Sequence, residues 1–187
     1  MTFKHISRRG LTRLLGAAGG LLVSAQVSAA SNMDEPGAAM RKAEGARLSA
    51  DDRLEIIELM ARYAWAYDTE DAQALASTFT ADGSLEVFGK LLVKHPSEFQ
   101  AFLAQAKEMK GEHGWQHLAD HHLFRDYDGQ TCTAYSYYLM PEGDRQGGNV
   151  TLRAMGYYTS NCVRTAGGWR FSKRSVVRWN GKAPIAI

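Results

Sequence analysis

The sequence has no run of about 20 apolar residues, which is the length that a membrane-spanning helix requires. It has only two cysteines, Cys132 and Cys162, among its 187 residues. A glycine-rich phosphate loop, a nucleophile elbow and a paired-cysteine motif are also missing. We therefore expect a site that works without a cofactor.

Acidic residues are missing from residues 1–30, which hold Lys4, Arg8, Arg9 and Arg13. The formal net charge of the whole chain is +2, but residues 31–187 hold 18 basic and 20 acidic residues, a net charge of about −2. Proteins that bind nucleic acid normally show a basic stripe or a strongly basic domain. The charge balance gives no support for a nucleic-acid partner.

The N-terminal segment has the pattern of a twin-arginine export signal. The arginine pair precedes an apolar, Gly/Ala-rich run over 14–27, and the small-residue site Val27-Ser28-Ala29 follows. We expect residues 1–30 to be the signal, residues 31–48 a linker, and the mature protein periplasmic or secreted, with no membrane contact after signal removal. The alternative is a cytosolic protein with a disordered basic arm.

A helix is predicted to begin at Ser49, because Asp52 three residues later completes a variant of the capping box. Apolar residues then recur at steps of three or four as far as Asp68. The stripe expected to pack inward consists of Leu54, Ile57, Met60, Ala61, Ala64 and Tyr67. Further helices are predicted over 71–79 and from Pro96 to about residue 110.

The period of the pattern changes to two in the C-terminal half. Strands are predicted over 115–127, 131–140, 150–164 and 169–179, after a short hairpin earlier in the chain. Helices followed by antiparallel strands indicate an α+β domain, with the helices covering one face of a curved sheet. We place this domain at residues 49–182, with a C-terminal tail over 183–187.

The turns between the strands predict the strand registers. An Asp-Gly turn after the first strand sets His117 opposite Met140. A turn before the last strand sets Tyr158 opposite Ser175. The odd positions over 169–179 are then expected to face inward.

Candidate catalytic groups lie at the end of the first helix and in the segment that begins the sheet. A carboxylate bonded to one ring nitrogen of a histidine fixes its tautomer and stabilises the cation formed when the histidine takes a proton. Asp68 and His117 are the candidates for this pair. The alternative is that Asp68 only caps the helix beginning near Asp71, and that His117 is a hydrogen-bonded core histidine.

Four histidines, His113, His117, His121 and His122, have spacings that on a helix would suggest a metal site. On a strand, a step of four residues separates side chains by about 13 Å, which is too far for one ion. Because the surroundings favour a strand, no metal is expected.

The chain resembles the SnoaL-like family of the nuclear-transport-factor-2-like superfamily, in its scytalone dehydratase and dehydrochlorinase-like branch. The resemblance covers about residues 49–181 and rests on Tyr67-Asp68, the Ala/Leu-x-x-x-Phe-x-x-Asp-Gly run ending at Gly83, the entry at His117, and the closing segment 167–171. It implies helices packed on a strongly curved antiparallel sheet that forms a cone-shaped barrel with an internal pocket. It also implies an Asp-His pair that removes a proton during an elimination, at the positions of Asp68 and His117.

Several other side chains are candidates for substrate contact. Tyrosine hydroxyls in a dry pocket can stabilise a developing enolate, although such residues also serve as packing. His121 stands where many relatives have Asn. Lys173 is either a snorkelling stem or an anion anchor. The candidate substrate-binding residues are Tyr63, Tyr67, His121, Tyr138, Tyr158 and Trp179.

The two cysteines are predicted to form a disulfide. A hairpin between the second and third sheet strands sets Cys132 directly opposite Cys162, and an exported protein can carry such a bond. The alternative is a pair of buried thiols that pack as small apolar groups.

The predicted function is a cofactor-free lyase or isomerase of the dehydratase type, acting on a small hydrophobic carbonyl or cyclic compound. One alternative is a non-catalytic binding protein for a small apolar ligand. Another is an oligomerisation module, because the other face of the sheet offers Tyr135, Tyr137 and Val176. We expect a homo-oligomer, either a dimer or a trimer.

Overall fold

The computed structural model describes residues 47–144, 146 and 148–186. The predicted export signal and residues 31–46 of the predicted linker lie outside this range. The elements are α1 (Ala50–Asp68), α2 (Ala72–Ser77), β1 (Phe79–Val87), β2 (Lys90–Val93), α3 (Phe99–Lys110), β3 (His113–Trp115), β4 (Leu118–Arg125), β5 (Thr131–Asp144), β6 (Val150–Thr165) and β7 (Gly168–Arg178). No described helix is long and apolar enough to cross a membrane.

The predicted cap of the first helix is confirmed. The backbone N–H of Asp52 donates to Oγ of Ser49 at 3.1 Å, and this Oγ donates to Oδ2 of Asp52 at 2.7 Å. Asp52 also accepts a bond from Nε1 of Trp169 at 3.1 Å and pairs with Arg164 at 2.5 Å. One carboxylate therefore ties the start of α1 to the last two strands.

The inward face of α1 differs from the predicted stripe. Leu54 is 66% exposed and Ala61 is exposed, whereas Ile56, Leu59 and Tyr63 are buried. Met60 and Tyr67 are buried as predicted. The helix is apolar on two sides, so its period alone does not tell which side the sheet covers.

The seven strands form one strongly curved sheet in the order β2-β1-β7-β6-β5-β3, and β4 also pairs with β5. The α+β class is confirmed, but the sheet is mixed rather than antiparallel because β1 pairs with β7 in parallel. The hairpin predicted before α3 is present as β1 and β2, and it belongs to the same sheet. The parallel pairing joins β1 and β7, which are far apart in sequence. No turn connects these two strands, so no local sequence signal predicts that they pair.

The β5–β6 register is the predicted one as far as Met140, and Cys132 lies opposite Cys162. The β6–β7 register holds up to Phe171 and then slips by one residue, so that Tyr158 pairs with Val176 and not with Ser175. The reason is a β-bulge, which adds one residue to one strand and reverses the faces beyond it.

After this bulge the even positions of β7 face inward, contrary to the prediction for 173–179. Arg174 is completely buried. Lys173 points away and pairs with Glu86 at 3.0 Å, so it is not an anchor in the pocket. Tyr135, Tyr137 and Val176 were predicted on the outer face of the sheet. The prediction is wrong for Val176, which lines the inner cavity.

The β4–β5 register has a similar interruption. Leu118 to Asp120 keep the predicted pairing, and the register then slips by one at His121 and His122. His121 has a φ of +58°, which is an uncommon conformation for a residue other than glycine. The bulge turns this part of β4 away from the regular ladder.

Candidate active site

Asp68 is the last residue of α1, and His117 lies in the two-residue gap between β3 and β4. The backbone N–H of His117 donates to Oδ2 of Asp68 at 2.9 Å, and Nδ1 of the His117 ring lies 2.6 Å from Oδ1. Because an ionised carboxylate only accepts hydrogen bonds, the ring proton belongs on Nδ1. The neutral imidazole then keeps Nε2 unprotonated.

The site is sheltered but open to a ligand. The side chain of His117 is 9% exposed and that of Asp68 is 19% exposed. The ring of Tyr67 lies 4.4 Å from the His117 ring and covers one side of it. Asp71 caps α2 by accepting from the backbone N–H of Ala74 at 2.8 Å, so Asp68 does not serve as the cap of that helix.

His117 borders a cavity of about 430 Å³, called here the inner cavity. Tyrosine, phenylalanine and aliphatic side chains from α1, α3 and the concave face of the sheet form most of its wall. The predicted substrate contacts among its lining residues are Tyr63, Tyr67, Tyr138 and Tyr158. A mostly apolar cavity of this size with a few polar groups is typical of a small-molecule site.

The tyrosines of the inner cavity remain protonated at neutral pH. Burial raises the pKa of Tyr63 to about 12, and it raises the pKa of Tyr67, Tyr138 and Tyr158 as well. The buried hydroxyl of Tyr138 has no hydrogen-bond partner among the described residues. The phenol groups are therefore hydrogen-bond donors, and among the described residues nothing accepts a hydrogen bond from that of Tyr138.

Arg174 lies directly behind this aromatic wall and was missed by the sequence reasoning. Its guanidinium carbon lies 3.8 Å from the ring centre of Tyr158 and 4.4 Å from that of Tyr63. Its Nη1 donates to Oγ of Ser160 at 2.8 Å, while its Nε and Nη2 have no partner among the described residues. Because no carboxylate of the described residues pairs with this buried cation, this side of the cavity is electropositive.

A second cavity of about 840 Å³, the outer groove, lies along the other side of α1 and β4. His117 and Tyr138 border both spaces, whereas His121 and Trp179 border only the outer groove. The side chain of His121 is 74% exposed and pairs with Asp120 at 3.7 Å. His121 and Trp179 are therefore not part of the inner cavity, contrary to the prediction. The bulge in β4 turns the side chain of His121 outward, and the bulge in β7 does the same for Trp179.

The cysteines are free thiols in the structure and both are buried. Sγ of Cys162 donates to the backbone carbonyl of Ser160 at 3.7 Å, and the neighbouring thiol of Cys132 together with burial raises the pKa of Cys162. The predicted register is present, and the bond itself stays a prediction. In the part of the chain that the structure describes, no three His, Cys, Asp or Glu side chains converge as metal ligands do.

The SnoaL-like domain model matches residues 48–175. Because this match spans more than half of the chain, and because the curved sheet encloses the expected pocket, the protein belongs to the SnoaL-like domain family. The resemblance drawn from the sequence is confirmed. No curated protein matches the chain.

Solved structures show the same fold. An NTF2-like protein with a cystatin-like fold from Novosphingobium aromaticivorans is 25% identical, with a TM-score of 0.61 over 81% of this chain and 95% of that one. Aln2 from Streptomyces is 21% identical, with a TM-score of 0.63 over 71% and 94%. ActVI-ORFA from Streptomyces coelicolor is 19% identical, with a TM-score of 0.64 over 73% and 100%. At 19% and 21% identity, the likeness concerns the fold alone.

Proposed function

We propose that this protein is a cofactor-independent lyase or isomerase that uses Asp68 and His117 as a general base pair in the inner cavity. The observation that carries the proposal is the 2.6 Å contact between Nδ1 of His117 and Oδ1 of Asp68 at the border of that cavity. A histidine held in this way can accept a proton on Nε2, because the carboxylate stabilises the imidazolium that forms.

The reaction begins with removal of a proton from carbon next to a substrate carbonyl. The proton goes to Nε2 of His117, and the electron pair of the C–H bond moves to the carbonyl oxygen as an enolate. A phenol of the cavity wall donates to this oxygen. The positive charge of Arg174 behind Tyr63 and Tyr158 stabilises the same negative charge.

The enolate has two routes onward. In a dehydration, collapse of the enolate expels a hydroxyl group from the β carbon, and the imidazolium returns its proton to form water. In an isomerisation, the imidazolium delivers the proton to another carbon of the conjugated system. Both routes restore neutral His117, and neither requires a cofactor.

The substrate that we propose is a small hydrophobic carbonyl or cyclic compound. The inner cavity has aromatic walls from Tyr67, Phe102 and Trp115 and aliphatic ones from Met140 and Val176. Burial of apolar surface against such walls supplies about 25 cal/mol for each Å² removed from water. The polar groups would then orient the substrate rather than hold most of it.

The test is turnover of a confirmed substrate, for instance one identified after co-purification. His117→Ala is expected to lower turnover by roughly 100-fold or more with the fold intact, as loss of a general base does. His121→Ala is the matched control, because this histidine lies outside the inner cavity. Unchanged turnover in His117→Ala would contradict the general base role. A ligand that the unsubstituted protein binds in the inner cavity but does not convert would instead support a non-catalytic binding protein.

A further inference from the structure

One row of paired residues crosses strands β5, β6 and β7, and the residues at both of its ends line the inner cavity. Tyr138 on β5 pairs with Gly156 on β6, and Gly156 pairs with Arg178 on β7. Because Gly156 has no side chain, the ring of Tyr138 can lie close against the backbone of β6, with its Cε1 only 2.9 Å from where a Cβ of residue 156 would be. Tyr138 and Arg178 both line the inner cavity.

The guanidinium of Arg178 is held in place by an aromatic ring. Its central carbon lies 4.0 Å from the ring centre of Phe88. Phe88 has a φ of +53°, and its backbone N–H donates to the carbonyl of Val176 at 2.9 Å. The β1–β2 turn thus carries the ring that supports the cation. A guanidinium ordered in advance loses less entropy when it binds a ligand.

Arg178 has no acidic partner in the described part of the chain. The other arginine of the inner cavity, Arg153, pairs with Glu142 at 2.7 Å. Among the residues that the structure describes, no acidic one lines the inner cavity. A charged group at a cavity mouth with no opposite charge beside it attracts a ligand of the opposite sign.

The hydroxyl of Tyr138 supplies a second donor in the same row. This residue is 2% exposed, and its hydroxyl has no partner among the described residues. A buried hydroxyl without a partner is costly, so a ligand atom that accepts its hydrogen bond gains affinity. The Arg178 charge also opposes the burial that raises the pKa of Tyr138.

We propose that Arg178 and the hydroxyl of Tyr138 bind the carboxylate of a hydrophobic acid whose apolar body occupies the inner cavity. A carboxylate matches the planar fork of a guanidinium, which can donate two parallel hydrogen bonds to it. The inference rests on the proposed function in placing the substrate in this cavity, and it narrows the substrate class to carbonyl compounds or ring systems that carry a carboxylate.

The test compares acids with neutral molecules of the same shape. Benzoate, 2-naphthoate and decanoate, each beside its primary amide, are titrated into the mature protein and followed by calorimetry. At least one acid is expected to bind about tenfold or more tightly than its amide, as a charge-assisted pair allows. Arg178→Gln should remove this preference and leave the affinity for the amide unchanged.

Arg125→Gln is the matched control, because this exposed arginine ends β4 and borders neither cavity. The inference is overturned if no acid binds more tightly than its amide, or if both variants weaken acid binding equally. His117→Ala separates this inference from the proposed function. If His117→Ala still binds the acid more tightly than its amide, the carboxylate site is supported. This holds even if the turnover measurements show that His117 is not a general base.

Discussion

Asp68 holds His117 by two hydrogen bonds, one from the backbone N–H at 2.9 Å and one at the ring nitrogen Nδ1 at 2.6 Å. The backbone bond sets the position of the carboxylate whatever the state of the ring. The ring bond then decides which nitrogen carries the proton. Substitutions that keep the first bond and alter the second therefore test the role of the tautomer.

Asp68→Asn is the substitution that makes this distinction. The amide oxygen can still accept from the backbone of His117, but its NH₂ group can donate to Nδ1 and so shift the ring proton to Nε2. Turnover should fall by roughly 100-fold or more, while the unfolding temperature changes little. Full activity in this variant would show that the carboxylate does not set the tautomer.

Asp52 is expected to make the free energy of unfolding depend on pH in the acidic range. Burial by itself raises its pKa, but bonds from Arg164, Ser49 and Trp169 outweigh this effect and hold the pKa at about 2, below its ordinary value of 3.8. Its contribution to stability is therefore present above pH 3.8 and is lost as the pH falls through about 2.

The measurement is urea unfolding across the acidic range. Asp52→Asn should lower the free energy of unfolding at neutral pH by about 1–3 kcal/mol, and the difference from the unsubstituted protein should shrink toward pH 2. Asp51→Asn at the exposed neighbour is the control and should have little effect. A difference that stays constant with pH would contradict the assigned network.

Gly156 is expected to tolerate no side chain. A Cβ there would collide with the carbonyl oxygen of Val177 and lie 2.9 Å from Cε1 of Tyr138. Gly156→Ala should therefore lower the free energy of unfolding by about 1–3 kcal/mol. Gly114→Ala is the control, because the nearest atom would lie 3.9 Å away. Equal stability of the two variants would contradict this packing.

Cys132 and Cys162 are expected to form a disulfide when the protein is produced in an oxidising compartment. They lie directly opposite each other on β5 and β6, which leaves only a small adjustment before the sulfurs can bond. Intact mass without reductant should be two hydrogens lower than that of the reduced protein. Alkylation of both thiols without reductant would contradict this prediction.

Local signals in the sequence predicted several features because each depends on residues close in the chain. The Ser49 cap and the length of α1 follow from propensity and periodicity. The turn between β5 and β6 predicted the pairing of Cys132 with Cys162. The placement of His117 beside Asp68 came from the family resemblance together with the chemistry of the two side chains.

The bulges and the buried arginine were beyond such reasoning. A bulge adds one residue to a strand whose alternation is already imperfect, and here it reversed the faces of Lys173 and Arg174. A charged residue is seldom buried without a partner, so a sequence pattern places it outside by default. The parallel pairing of β1 with β7 depends on the finished sheet and has no local sequence signal.

The central claim is that neutral His117 carries its proton on Nδ1 and presents a basic Nε2 to the inner cavity. Nitrogen-15 NMR of the imidazole in the purified protein tests this without any substrate. We predict a proton on Nδ1 in the unsubstituted protein and a shift of the proton to Nε2 in Asp68→Asn. A proton on Nε2 in the unsubstituted protein would contradict the general base role.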